Sequence, residues 1–299
     1  MAVRFCSFGI CCKNDNAEVI SYRNSLCLLI SFIEDNIENG IKLDDVVSFS
    51  GYSRRHVQSL FQKALRISVG AYIRNRKIIR AATMLRLTNE SIIEIAFRLH
   101  YDSQQTFSRE FKKITGNTPL RYRRNDIWDL SPYRINIPSN FSIENHPEMV
   151  ILESDAIYGY QITYECPVPT KRFVIHAKWD NVKSFMQRTK DDVWLLTSIS
   201  PGSRNMNNVQ VCTVIGARGK NISVRNTGRF LYDAGLYAKF NFYGVKDNYN
   251  NYVSFLYYRV LPFLKLNRRN GLDIECIRYN DIDNEKISCD IYIPVVPAI

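Results

Sequence analysis

Residues 101–113 read YDSQQTFSREFKK and hold four side chains suited to base recognition: Gln104, Gln105, Ser108 and Arg109. A glutamine amide pairs bidentately with adenine and a guanidinium with guanine, while a hydroxyl bonds to either purine edge or touches a thymine methyl. At a helical period, Phe107, Phe111 and Ile114 share one side, and the polar group with Lys112 shares the other. Any one of these residues alone is equally well read as solvent-facing. Arg54, Arg55, Gln58 and Ser59 form a second set of the same type about fifty residues earlier.

Reading bases requires helices held firmly by their surroundings. A short helix is expected over Leu43–Phe49, with Leu43, Val46 and Val47 inward, followed by the turn Ser50-Gly51-Tyr52. Gly51 suits a positive φ, and Ser53 is a natural N-cap for a second helix over Arg54–Leu65, whose stripe is Val57, Leu60, Phe61 and Ala64. The result is a helix-turn-helix pattern. It recurs with Ile92, Ile93, Ile95 and Ala96 on the first helix, Leu99-His100-Tyr101 in the turn, and Asp102 or Ser103 as cap. Val57 then corresponds to Phe107, Phe61 to Phe111 and Gln58 to Ser108, with one extra residue in the second turn. His100 stands where a glycine is expected and reads as a turn residue, not a catalytic one.

Residues 17–38 predict a preceding helix with Leu26, Leu29, Ile30, Ile33 and Ile37 inward. Residues 69–86 predict a helical strut with Val69, Tyr72, Ile73, Ala81, Ala82 and Leu85 inward and Arg74, Arg76, Lys77 and Arg80 outward. At 1.5 Å per residue such a strut spans about 27 Å. That length suits two reading helices in successive major grooves, roughly 34 Å apart. A single copy would then read an asymmetric site of about 20 bp, with no two-fold dimer required. Phosphate contacts are expected from Arg54, Arg74, Arg76, Lys77, Arg80, Lys112, Lys113 and Arg123, which add affinity without sequence information.

The charge distribution points the same way. The formal charge is +11, yet Tyr52–Arg124 alone holds sixteen Lys/Arg against four Asp/Glu, leaving 24 and 25 elsewhere. A field so concentrated attracts a polyanion such as nucleic acid. An anionic membrane surface is the weaker alternative, because the tight turns interrupt any amphipathic surface helix. No apolar run approaches the roughly 18 residues of a membrane span, and the N-terminal stretch lacks a persuasive cleavage site, so a cytoplasmic location is expected. The eight cysteines form neither a CxxC pair nor a disulfide framework. Cys6, Cys11 and Cys12 lack a fourth ligand at suitable spacing, so residues 1–16 read as a mobile extension with free thiols and no metal or cofactor is expected.

After Arg124 the pattern changes. Residues 125–150, with Pro132, Pro138 and Pro147, read as a connector, and strand-like runs follow at 156–164, 192–199, 208–215, 228–242, 272–280 and 286–294. Helical runs at 176–189 and 247–261 interrupt them, so a strand–helix–strand–strand order occurs twice and a duplicated α+β domain is expected over 151–299. The aromatic stretch FLYDAGLYAKFNFYG, residues 230–244, is either plain strand core or the wall of a pocket for an apolar or cationic molecule. His146 and His176 stand isolated, and no nucleophile–base, paired-carboxylate or metal-ligand set has a convincing spacing, so an enzyme is not expected.

Residues 41–124 resemble the DNA-binding domain of the AraC/XylS regulators. The resemblance rests on GYSRRHVQSLFQ at 51–62, GAYIRNRKI at 70–78 and SIIEIAFRLHYDSQQTFSREFKKITGNTPLRYR at 91–123. SQQTF and GAYIR are similar to the Rob/MarA/SoxS branch in particular. The resemblance implies an all-α domain with two helix-turn-helix units over 17–124, promoter DNA and RNA polymerase as partners, and activation. It carries base reading onto Arg55, Gln58, Ser59, Gln104, Gln105, Thr106 and Arg109. Arg55 departs from the Trp, and Ser59 from the Arg, common in that branch, so altered reading is expected in the first unit. LNRRNGLDIE at 266–275 and CDIYIPV at 289–295 resemble the GyrI-like ligand-binding group, which implies a small-molecule effector. That resemblance places Asp290 at the ligand, with Glu275 as a second candidate carboxylate; Trp194, Tyr164 and Tyr237 are the expected wall. A ligand-independent architectural DNA binder, whose second domain makes protein contacts, is the alternative.

Overall fold

The computed structural model describes residues 17–136, 146–168, 176–219, 227–279 and 286–298; the extension at 1–16, with Cys6, Cys11 and Cys12, lies outside them. The chain divides into two compact units, Met1–Leu85 with Glu90–Arg124 and Ser131–Ser142, and Arg86–Asn89 with Asn125–Leu130 and Ile143–Ile299. The stretch expected as a single connector is therefore shared. Tyr133, in a 3₁₀ turn over Ser131–Asn136, is buried in the first unit, where its hydroxyl lies 2.9 Å from that of Thr83. Trp128 bridges to Arg268 in the second unit, and the first strand begins at Glu148, within the expected connector.

The described part of the first unit is helical: α1 (Ala17–Asn36), α2 (Leu43–Ser50), α3 (Arg54–Leu65), α4 (Val69–Leu87), α5 (Ile92–Arg98), α6 (Gln104–Thr115) and α7 (Pro119–Arg124). Leu26, Leu29, Ile30, Ile33 and Ile37 are all buried, as their spacing requires, and pack with Val46, Val57, Leu60 and Phe61 in one core. The repeat runs further than the two reading units. Phe61 meets Tyr72 edge-on at 5.3 Å, and fifty positions on Phe111 meets Tyr122 edge-on at 5.4 Å. Ser68 accepts from the Ala71 N–H and Thr118 from the Arg121 N–H, so the helix following each reader is capped alike.

The second unit is an antiparallel sheet with helices on one face. Its strands are β1 (Glu148–Leu152), β2 (Asp155–Pro167), β3 (Val193–Pro201), β4 (Asn208–Ala217), β5 (Gly228–Tyr232), β6 (Gly235–Val245), β7 (Leu266–Arg268), β8 (Asp273–Ile277) and β9 (Lys286–Pro297). The order is β1-β6-β9-β8-β3-β4-β2-β5, with β7 on β9. Helices α8 (His176–Thr189) and α9 (Lys246–Phe255, continued by a π turn into Leu261–Phe263) fall where helical periodicity placed them.

The strand–helix–strand–strand order does occur twice, as β2-α8-β3-β4 and β6-α9-β8-β9. The halves exchange edge strands: β1 pairs with β6 and β5 with β2. The run expected as one strand over 228–242 breaks at Asp233-Ala234, because Gly235 takes φ +145°, a conformation open to glycine. Residues of both edge strands, Val150 and Leu152 with Phe230 and Tyr232, meet in one cluster, so the sheet curls around that face.

Candidate nucleic-acid interface and effector face

Recognition helix α3 is entered through Gly51, at φ +67°, and Ser53, whose hydroxyl accepts from the His56 N–H at 3.3 Å. Val57, Leu60 and Phe61 are buried, while Arg54 and Arg55 are exposed and Gln58 and Ser59 half-buried. Arg54 is bonded to Asp44 of α2. Gln58 departs from expectation, since its Oε1 accepts the Val69 N–H at 3.3 Å at the start of α4. That amide oxygen satisfies one of the donors a helix start leaves open, so part of Gln58 is structural.

The second reader repeats the plan with freer side chains. Ser103, not Asp102, is the cap; its hydroxyl accepts from the Thr106 N–H at 3.2 Å and lies 3.0 Å from the Thr106 hydroxyl. Phe107 and Phe111 are buried, and Gln104, Gln105, Thr106, Arg109, Lys112 and Lys113 are exposed, with Ser108 half-buried. Among the described residues, Gln104, Gln105 and Arg109 make no side-chain hydrogen bond or ion pair. His100 takes φ +57°, and its Nε2 lies 2.9 Å from the Glu38 carbonyl, so it is the turn residue its position suggested.

Three residues expected at phosphates have partners within the protein instead. The Arg76 Nη2 donates to Glu34 at 2.6 Å, Tyr72 donates to the same carboxylate at 3.2 Å, and the Arg76 and Glu34 side chains are only 17% and 16% exposed. Arg80 is 12% exposed and lies 3.5 Å from Glu38. Arg123 donates from Nε to the Leu85 carbonyl at 3.2 Å and from Nη2 to the Glu90 carbonyl at 2.5 Å. The physical reason is the placement of α4, which buries ten of its nineteen residues on several sides and so turns Arg76 and Arg80 toward α1. Lys77 is half-buried, 5.7 Å from the Tyr101 ring centroid, and burial lowers its pKa. Arg74, Arg54, Lys112 and Lys113 keep exposed heads, with Arg74 3.6 Å from Glu110.

Sequence reasoning missed a pair of acids facing these arginines, although a signal was present. Glu34 and Glu38 stand four apart on the segment that ends α1, as Arg76 and Arg80 do on α4. Arg98 joins the same group, with Nη2 2.8 Å from Glu38 and Nη1 2.5 Å from the buried Glu90. Arg66, at φ +60°, ends α3 in the left-handed region and was not foreseen.

In the second unit the expected wall residues divide between the two faces of the sheet. Glu275 and Tyr164 face the helices. Lys178 of α8 donates twice to Glu275, at 2.7 and 3.0 Å, with both side chains 8% exposed. The Lys178 ammonium also lies 5.0 Å from the Tyr249 ring of α9. Burial lowers and Glu275 raises the Lys178 pKa, with a net rise. Glu275 is thus a structural counter-ion, and burial raises the Tyr164 pKa.

Asp290, Trp194 and Tyr237 lie on the other, curled face. Register aligns Asn241, Asp290, Cys276, Trp194 and Gly216 across β6, β9, β8, β3 and β4. Asp290 accepts from Asn241 and from Arg278, whose Nη1 also lies 2.9 Å from Asp192. The Arg218 guanidinium stacks 3.8 Å from the Trp194 centroid, and Arg269 4.7 Å from that of buried Tyr237. Ile157, Leu196, Val214 and Ile274 supply the apolar floor. Among the described residues, no group of His, Cys, Asp and Glu could hold a metal, and no helix is long and apolar enough to cross a membrane.

A helix-turn-helix domain model matches residues 47–125, and a model of the GyrI-like small molecule binding domain matches residues 230–296. The F1 operon positive regulatory protein of Yersinia pestis is 34% identical over 275 residues, covering 89% of this chain and 86% of that one. The transcriptional regulator Rob of Salmonella typhimurium is 28% identical over 283 residues, covering 89% and 96%. The transposon Tn10 TetD protein of Escherichia coli is 43% identical over 102 residues, covering 34% and 74%. These matches fall on both the paired readers and the curled sheet. The chain belongs to the AraC-type, DNA-binding transcription regulators of Rob-like architecture, which are not enzymes, and it carries a GyrI-like small-molecule-binding domain.

Proposed function

We propose that the chain is a transcription activator that reads an asymmetric promoter site of about 20 bp as a monomer, through α3 and α6 in successive major grooves. The carrying observation is α6: Gln104, Gln105 and Arg109 are exposed and unengaged on a helix whose other side is fixed by Phe107 and Phe111. In this reading α6 supplies base contacts from Gln104, Gln105, Thr106 and Arg109, and α3 from Arg55, Ser59 and the free amide nitrogen of Gln58. Arg54, Arg74, Lys112 and Lys113 contact phosphates. Strut α4, at nineteen residues, measures about 28 Å.

Activation through RNA polymerase accords with the word "positive" in the name of the Yersinia pestis relative. The curled face takes a small amphipathic molecule, since it combines an apolar floor with a few placed polar groups. The test is selection of bound sequences from a random pool by the full chain, followed by transcription with RNA polymerase on the selected site. Expected are a non-palindromic consensus and more transcript. Equal affinity for the scrambled site would instead leave an architectural DNA binder.

A further inference from the structure

A lipophilic cation is held by two things, an open aromatic face and a carboxylate free to pair with it. The curled face contains both kinds of group, and both are already taken by the chain's own cations. The Trp194 ring carries the Arg218 guanidinium at 3.8 Å. Arg218 is fixed there by a 2.8 Å bond from Nη2 to the Tyr232 hydroxyl, with Asp155 3.7 Å from its Nε. Asp290 has one oxygen bonded to Asn241 and the other to Arg278, which Asp192 holds from its far side. Tyr292, stacked 6.4 Å from Trp194, has the Lys239 ammonium 5.9 Å from its centroid, tied to Glu148 at 3.2 Å.

We infer that Arg218 and Arg278 are specificity-determining residues that close this face to lipophilic cations. They do so by occupying the ring and the carboxylate such a ligand would need. The inference rests on the reading of this face as the effector site. Two further observations support it. Arg218 and Arg278 side chains are 44% and 42% exposed, so they sit at the surface of this face and not in its packing. Asp290 itself is 6% exposed, so a cation reaching it must displace Arg278 and leave that guanidinium with Asp192 alone.

The test uses the full chain and two dyes, the cation rhodamine 6G and the neutral N-phenyl-1-naphthylamine, read by fluorescence anisotropy and enhancement. Wild type is expected to bind the neutral dye and to bind the cation at least about tenfold more weakly than the double variant Arg218→Ala/Arg278→Ala, as a vacated ring and carboxylate predict. Adding Asp290→Asn to the double variant is expected to remove that gain. An unchanged melting transition shows that the variants are folded; should the alanine pair fail that control, Arg218→Gln/Arg278→Gln is tested in its place. Equal cation affinity in wild type and the double variant, with neutral-dye binding intact, would overturn the specificity role and leave the effector reading standing. Failure of wild type to bind either dye or any member of a neutral amphiphile panel would overturn both.

Discussion

The two reading units are copies at a spacing of fifty residues, yet they place their glycines at opposite ends. In the first, Gly51 closes the inter-helix turn at φ +67°, and Arg66 ends the recognition helix at φ +60°. In the second, His100 closes the turn at φ +57°, and Gly116 ends the recognition helix at φ +75°. Each unit thus needs the left-handed conformation twice and meets it once with glycine and once at a cost of about 1–2 kcal/mol. The geometry is conserved between the copies while the residue that provides it is not. The readers differ similarly: Gln58 spends its amide oxygen on Val69, whereas Gln104 and Gln105 spend nothing.

The largest effect that would separate the units is expected at Arg98, which ties the second to the acids beside α1. Arg98→Ala removes the cation 2.5 Å from the Glu90 carboxylate, whose side chain is 3% exposed, and should cost about 2 kcal/mol at pH 7 in urea unfolding. The pH dependence has a definite sign. Burial raises the Glu90 pKa and Arg98 opposes the rise, so removing Arg98 moves it higher. A carboxyl whose folded pKa exceeds its unfolded one loses stability as pH rises through that interval. The penalty of Arg98→Ala should therefore shrink as pH falls through the acid range, and a penalty that stays constant down to acid unfolding would break this account.

The glutamines give the next contrast. Gln105→Ala should weaken binding to the selected site by about 1–3 kcal/mol, relax one base position and leave the melting temperature unchanged. Gln58→Ala should lower folding stability by about 1 kcal/mol through the lost cap on α4, whatever it does to binding. Equal melting-temperature losses in both variants would erase the distinction between a free and a partly structural reader.

Much of this was legible in residue types and spacing. Cap Ser53, the narrowing of the second cap to Asp102 or Ser103, the buried pairs Val57/Phe61 and Phe107/Phe111, and His100 as a turn residue follow from local chemistry alone. What did not follow depended on which side of an element meets another. Arg76 and Arg80 fit an outward stripe until α4 is placed in the middle of its unit, where Glu34 and Glu38 meet them. Glu275 and Asp290 both read as pocket carboxylates, and only the register of β8 against β9, with Glu275 opposite Ile291 and Asp290 opposite Cys276, sends them to different faces. Strand parity was available in the sequence; the pairing that gives parity its meaning was not.

Exchanging the glycines tests the mirrored turns directly. Gly51→Ala places a Cβ in open space at φ +67°, so the whole cost is backbone and should be about 1 kcal/mol by urea unfolding. Arg66→Gly, at an exposed helix end, should gain up to about 1 kcal/mol, reduced by the greater freedom glycine gives the unfolded chain.

His100→Gly should show the smallest change, although its backbone relief matches that at Arg66. The imidazole lies against Gly40, where an added Cβ would come within 3.0 Å of its Nδ1, and its Nε2 is bonded to the Glu38 carbonyl at 2.9 Å. Losing that bond costs about 1 kcal/mol and offsets the gain from glycine, so the net should fall within roughly 0.5 kcal/mol of zero. His100→Asn separates the two terms, since asparagine tolerates the left-handed region but is too short to replace the imidazole contact. It should be less stable than His100→Gly. Both variants lack the imidazole, so the loss of His100→Asn against wild type, about 1 kcal/mol, reports the bond, and no loss would mean that the bond to Glu38 adds nothing to the turn.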